Sequence, residues 1–295
     1  MTPASVLVRV PGSTSNVGAG FDCVGIAIDR RLSATARLEP SPGAPVRIDR
    51  RGTLCAVTVP PDRDSLFAGF AAACRGAGCR VPAGLVIDAG SDIPVGRGLG
   101  SSGAATVAGA LAARALLGLE LDDEMLARLC AEVEHHPDNV APAIYGGAVL
   151  AVPGPEGRLT VAPLEVHASL VFVFAVPDVE VATERARAAL PPSVSHRTAA
   201  TAAAKAGALI AGLARADAGL LAAARATGAF GATLSGSGSS ILAVTPASAA
   251  PGVADAMAHA WRALGVTVET FVLSRPAGRY QVTGLTQETM PCPSR

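Results

Sequence analysis

A chain of 295 residues is long enough for about one to three domains of ~100–200 residues each, and two are expected. Half of it is hydrophobic, yet no run reaches the roughly 18–20 apolar residues that a membrane span needs. A formal net charge of zero, with seven Phe, two Tyr and one Trp as the aromatic residues, leaves neither an electrostatic footprint nor a stacking platform for nucleic acid, so a small-molecule partner is expected.

The N-terminal stretch has no basic segment followed by a long apolar core, so no secretory signal and a cytoplasmic location are expected. Six cysteines, with no CxxC and no zinc-ligand spacing to the five histidines, read as reduced thiols. Residues 6–10 and 25–38 have strand character around a Gly/Ser/Asn turn, and 46–59 reads as a further strand pair. Residues 64–78 are helical in pattern, 85–89 form a short apolar strand, and a Gly-rich stretch then leads into an Ala/Leu-rich helix.

Asp122 is suited to cap the next helix, with Asp123 and Glu124 in its first turn, and Pro137 should stop that helix near His136. Beyond Pro153, strands near 168–176, 240–244 and 266–273 and helices over 198–227 and 253–264 suggest a second α+β unit. The expected division is therefore 1–152 and 153–295.

The strongest chemical signal is Pro94-Val95-Gly96-Arg97-Gly98-Leu99-Gly100-Ser101-Ser102-Gly103-Ala104. Its glycines let backbone N–H groups approach a polyanion, and the helix that follows adds free N–H groups and a positive dipole end. No Gly-Lys-Ser/Thr follows and the G-x-G-x-x-G spacing is absent, so this is a phosphate cradle of neither Walker nor dinucleotide type. A plain Gly-rich turn is the alternative.

On the helix after Asp122, Glu134 shares a face with Leu126 and Cys130 at i, i+4, i+8 spacing, which turns it inward. An inward carboxylate needs a cation or several donors, so Glu134 is a candidate Mg²⁺ ligand, with a helix-end salt bridge as the alternative. His135 and His136 read as structural. The stretch Pro11-Gly12-Ser13-Thr14-Ser15-Asn16-Val17-Gly18-Ala19-Gly20-Phe21-Asp22 reads as a polar loop, where Asn16 and Asp22 either meet a polar substrate or stabilise their own turn. Leu234-Ser235-Gly236-Ser237-Gly238-Ser239-Ser240 is a second Gly/Ser loop before a strand.

In this order, PGSTSNVGAGFD, PVGRGLGSSGA and LSGSGSS resemble the three motifs of the GHMP kinase superfamily, and HPDNVAPAIYGG resembles its homoserine kinase branch, over residues 6 to about 282. The resemblance implies an α+β, two-domain GHMP kinase fold: an N-terminal ribosomal-protein-S5-like α/β domain and a C-terminal ferredoxin-like domain. It implies ATP along residues 94–104 and Mg²⁺ on Ser102 and Glu134. The implied acceptor is L-homoserine, met by Asn16, Asp22, Asn139, Thr183 and Arg187. Asn139 and Arg187 are the residues implied to orient the reacting groups. Because Asn139 cannot take a proton, no general base is assigned. Homodimer or monomer stays open.

The sequence departs from the family pattern in three places. An Asp-x-x-His-x-x-x-Arg segment is missing before Arg225, Ser239 stands where a proline is usual, and Ser65 stands where an asparagine is usual. Competing readings are another small alcohol as acceptor, or a non-catalytic sensor of the same fold. Ser102 and Glu134 argue against the sensor.

Overall fold

A computed structural model describes residues 4–39, 44–181, 183–223 and 232–285. The chain begins β1 (Ser5–Asn16), β2 (Gly20–Leu38), β3 (Arg47–Gly52), α1 (Ser65–Gly76), β4 (Leu85–Ser91), α2 (Ser101–Leu117) and α3 (Asp123–Glu134). It continues α4 (Val140–Tyr145), β5 (Ala148–Pro153), β6 (Leu159–Leu164), β7 (Leu170–Pro177), α5 (Thr183–Ala188), α6 (His196–Arg215) and α7 (Ala218–Ala223). The last described elements are β8 (Ala232–Leu234), β9 (Ile241–Pro246), α8 (Ala250–Ala263), β10 (Val268–Leu273) and β11 (Gln281–Leu285).

Seven strands form the first sheet, in the order β11-β1-β2-β4-β3, with β5 pairing to β2 and β6 to β5. All pairs are antiparallel except β3 with β4. Alternation along β2 buries Leu32, Ala34 and Ala36 and leaves Ser33, Thr35 and Arg37 on the other face, as strand pleating requires. Against the apolar face lies α2, with α1 packed beside it. Almost all of α2 is buried, which explains why it is alanine-rich around its whole circumference. The two helices touch backbone to backbone, since a Cβ on Gly69 would fall 1.9 Å from the Thr106 carbonyl oxygen and one on Gly109 would fall 1.9 Å from that of Leu66. Asp64 caps α1 by accepting from the Leu66 N–H at 2.8 Å, and Asp122 caps α3 by accepting from the Met125 N–H at 2.7 Å.

The second sheet has the antiparallel order β10-β7-β9-β8, and its β-α-β-β-α-β succession is that of a ferredoxin-like unit. Every residue of β7 is buried. Phe172 and Phe174 join the main core, whereas Val171 and Val173 pack with Ala243 and Ala250 under α8. No helix among the described residues is long and apolar enough to cross a membrane.

Several elements differ from the sequence expectation. The polar stretch after Val10 is not a loop: β1 continues to Asn16 with two register shifts, because Ser13, Thr14 and Ser15 find side-chain partners while their backbone pairs with residues 25–27. Only residues 17–19 turn. The strand expected up to Val59 ends at Gly52, whose φ of 62° starts a 3₁₀ turn over Thr53–Ala56. The third helix ends at Glu134, with His135 in the left-handed region at φ 64°. The long helix expected over 198–227 is broken at Ala216, φ 52°, and Asp217 restarts the chain by accepting from the Leu220 N–H at 3.0 Å. Its end lies outside the described residues. The expected division between 152 and 153 falls inside β5, whose partner β6 belongs to the first sheet, as does β11.

Candidate active site

Residues 94–100 join β4 to α2 and lie between the other two Gly/Ser segments. Gly96, Gly98 and Gly100 have φ of 67°, 71° and 70°, a conformation that disfavours any residue with a Cβ. Space is as decisive as φ. A Cβ on Gly98 would fall 2.0 Å from the Ser235 carbonyl oxygen, and one on Gly100 would fall 2.1 Å from Ser13 Oγ. The Ser13 N–H donates to the Leu99 carbonyl at 3.1 Å, Ser235 Oγ to the Gly98 carbonyl at 2.6 Å, and the Ser240 N–H to the Arg97 carbonyl at 3.2 Å. Three segments distant in sequence thus become one surface.

Among the described residues no side chain caps α2, whose N-cap is Gly100, and an uncapped helix N-terminus is what an anion site needs. Ser101 is buried and Ser102 exposed at this end. Leu99 and Ala104 bury their side chains in the core, and Gly103 gives close access to Asn139, with a Cβ there 3.0 Å from that of Asn139. Pro94 and Val95 are half-buried. Arg97 is turned away to the end of β7. It donates to the carbonyls of Pro177 and Val95 at 3.1 Å and pairs with Asp178 at 2.8 Å and Glu180 at 3.1 Å, so its charge is matched by carboxylates.

Glu134, the last residue of α3, meets the first turns of α2. Ser102 Oγ lies 2.9 and 2.8 Å from its two oxygens and Thr106 Oγ1 lies 2.5 Å from Oε1. Leu126 and Cys130 on the same face are buried, which confirms the inward direction. Thr106 was not anticipated from sequence. Its signal is a hydroxyl one turn beyond Ser102, followed by a run of apolar residues from Val107 to Ala113. Ser65 Oγ lies 3.4 Å from Ser102 Oγ.

Asn139 precedes α4. Its Oδ1 accepts from Ser13 Oγ at 2.9 Å, and its Nδ2 faces Ser15 Oγ at 3.3 Å and Asp138 Oδ1 at 3.5 Å. Asp138 is only 2% exposed and meets His136 Nδ1 at 2.7 Å. Burial by itself would lower the His136 pKa, but the hydrogen bond and charge of Asp138, with Glu134 adding, raise it above the ordinary histidine value.

Asn16 and Asp22 flank the 17–19 turn with φ of 69° and 56°. Asn16 Oδ1 accepts from the Asp22 N–H at 2.9 Å and its Nδ2 donates to the Gly236 carbonyl at 3.1 Å, so its amide ties the turn to the third Gly/Ser segment. The Asp22 carboxylate meets Arg187 of α5 in a two-pronged pair at 3.0 and 2.6 Å. Ser102 with Glu134, Ser13 with Asn139, and Asp22 with Arg187 are thus brought together. The side chain of Thr183 and all of Arg225 lie outside the described residues.

A glycine-rich turn at a helix N-terminus without a side-chain cap, beside a carboxylate held by two hydroxyls, has the chemistry that a phosphorylated ligand calls for. Family models for the GHMP kinases N terminal domain and GHMP kinases C terminal match residues 66–147 and 206–263. A curated homoserine kinase of Synechococcus sp. is 35% identical, over 91% of this chain and 95% of its own. One of Picosynechococcus sp. is 34% identical, over 91% and 96%. The crystal structure of homoserine kinase from Cytophaga hutchinsonii superposes with a TM-score of 0.82 at 29% identity, covering 95% of this chain and 98% of that one. The chain belongs to the homoserine kinase family of the GHMP kinases, with the α+β fold that membership implies.

Proposed function

We propose that this chain is a cytoplasmic, ATP-dependent kinase that transfers the γ-phosphate to the side-chain hydroxyl of L-homoserine, giving O-phospho-L-homoserine for threonine biosynthesis. The observation that carries this is the Glu134 carboxylate held by Ser102 and Thr106 at the N-terminus of α2, where Asn139 packs against Gly103.

The triphosphate is received by the backbone of residues 96–103 and the N-terminal end of α2. Mg²⁺ fits this donor set. A hydroxyl and a carboxylate are hard oxygen ligands, so Ser102 and Glu134 would hold the ion together with phosphate oxygens. Bound there, the ion neutralises charge on the phosphates.

Asp22 and Arg187 supply opposite charges for the ammonium and carboxylate of the amino acid, and a guanidinium fork suits a carboxylate. Asn139, fixed by Ser13, orients the acceptor hydroxyl but cannot deprotonate it. As the hydroxyl oxygen bonds to the γ-phosphorus, the bond to the β–γ bridging oxygen breaks and ADP leaves, and the proton passes to a phosphate oxygen or to water. Positioning and charge neutralisation suffice for such a loose transition state. Phosphorus NMR of the purified protein with ATP, Mg²⁺ and L-homoserine tests the reading: a new phosphate monoester should appear in step with ADP, and its absence would refute it.

A further inference from the structure

Arg97 lies in the middle of the glycine-rich stretch, yet its guanidinium is directed to the end of β7. Its Nε donates to the Pro177 carbonyl at 3.1 Å, its Nη2 meets Asp178 at 2.8 Å, and its Nη1 meets Glu180 and the Val95 carbonyl, both at 3.1 Å. The Arg97 side chain is 13% exposed, against 77% and 66% for Asp178 and Glu180, so the arginine is the desolvated partner. The main chain repeats the link. The Val181 N–H donates to the Gly96 carbonyl at 3.2 Å, and the Ser239 hydroxyl of the third Gly/Ser segment donates to the Val179 carbonyl. Residues 177–181 are thus fastened to the loop that joins β4 to α2.

Val181 stands two residues before α5, the helix that carries Arg187. None of the described side chains of α5 is buried, so no core contact among them fixes this helix. Its place follows from the chain that leads into it and from the pair of Arg187 with Asp22. Because two carboxylates balance the guanidinium, Arg97 acts on a bound phosphate through the shape of the loop and not through its charge. We propose that Arg97 is a positioning residue that couples the two substrates: it makes the phosphate loop and the lead-in to α5 one unit, so that nucleotide and amino acid each bind more tightly when the other is present. Ordering the unit costs conformational entropy once, and the ligand that binds second meets it already ordered. This rests on the kinase reading above and adds an energetic link between its two ligands.

Calorimetric titration of the full chain with L-homoserine and the unreactive analogue β,γ-imido-ATP, in the presence of Mg²⁺, tests the coupling. In the wild type, saturating analogue should tighten homoserine binding about five- to fiftyfold, and saturating homoserine should tighten analogue binding by the same factor. Arg97→Ala should bring that factor below about twofold, and Arg97→Lys should lose most of it too, because an ammonium lacks the fork that reaches Pro177, Asp178 and Glu180 together. Asp178→Asn combined with Glu180→Gln leaves the sequence of the loop intact and should lower the factor several-fold. A merely structural role for Arg97 would weaken both ligands and leave the factor unchanged. No coupling in the wild type, or the wild-type factor in folded Arg97→Ala, overturns the proposal. Should Arg97→Ala fail to fold, the wild-type factor in the double variant overturns it. Wild-type homoserine turnover keeps the kinase reading intact in each of these cases, and absence of that turnover overturns both.

Discussion

Ser102 Oγ lies 2.9 and 2.8 Å from the two carboxylate oxygens of Glu134, which joins the first turn of α2 to the last residue of α3. The arrangement places a negative charge at the positive end of a helix, beside the glycine loop, with Thr106 closing the carboxylate from below.

Removing that charge should cost turnover more than stability. Glu134→Gln keeps the shape and the hydroxyl contacts, and kcat is expected to fall about a hundredfold or more, with the Mg²⁺ requirement raised and the melting temperature little changed. Thr106→Val, which deletes one hydrogen bond to a charged group, should raise the half-saturating Mg²⁺ concentration by roughly ten- to a hundredfold. Wild-type turnover by Glu134→Gln at limiting Mg²⁺ would contradict the metal role.

Gly100→Val should fail for two reasons that act together. The position has φ 70°, and its Cβ would fall 2.1 Å from Ser13 Oγ, so the loop must move off β1 and the cradle must deform. A loss of about 1–3 kcal/mol in stability is expected, measurable by denaturant unfolding, together with severe loss of ATP affinity by calorimetry. A folded variant with unchanged nucleotide affinity would show that the cradle lies elsewhere.

Arg187→Lys keeps the charge but not the fork. The KM for homoserine should rise and kcat/KM should fall by roughly ten- to a hundredfold, with the KM for ATP nearly constant. Equal losses for both substrates would mean that Arg187 supports the fold or the nucleotide.

Asp123 links α3 to α2 and to the segment just before β11. Its Oδ1 accepts from Arg114 at 2.9 Å and from the Tyr280 hydroxyl at 2.8 Å, and its Oδ2 pairs with Arg279. Burial pushes its pKa up, but the hydrogen bonds from Arg114 and Tyr280 and the charges of Arg279 and Arg114 outweigh burial and hold it below the usual carboxylate value. A depressed folded pKa contributes stability that is present above the unfolded value, about 3.9, and is lost as pH falls through the folded one. Asp123→Asn should therefore unfold more readily at neutral pH, by about 1–3 kcal/mol, and this difference from the wild type should shrink as pH drops below about 4. A difference that stays constant down to pH 2 would contradict this assignment.

The elements most readable from sequence were those with a strong period or a strong cap. Asp122 marks the start of its helix, and the inward face of Glu134 follows from Leu126 and Cys130. Less readable was anything settled by distant partners. Ser13, Thr14 and Ser15 look like loop residues because they are polar, but they are buried in a strand by Asn139 and Ser235, more than 120 residues away. Arg97 sits within the phosphate loop in sequence, yet Asp178 and Glu180 draw its charge to the other sheet. The pairing of β11 with β1 spans nearly the whole chain and has no local signal. The glycines at 98 and 100 stand out in the sequence; that they admit the close packing of two other segments is not legible there, because the segments meet only in three dimensions.

The acceptor proposed for this site is a zwitterionic hydroxy amino acid. Coupled ADP release from ATP and Mg²⁺, measured over L-homoserine, L-serine, L-threonine, mevalonate and galactose, tests it most directly. Homoserine should give the highest kcat/KM of the panel, and mevalonate and galactose should give no release above background. Release that is as fast with mevalonate or galactose as with homoserine, or no release with homoserine, would refute that assignment.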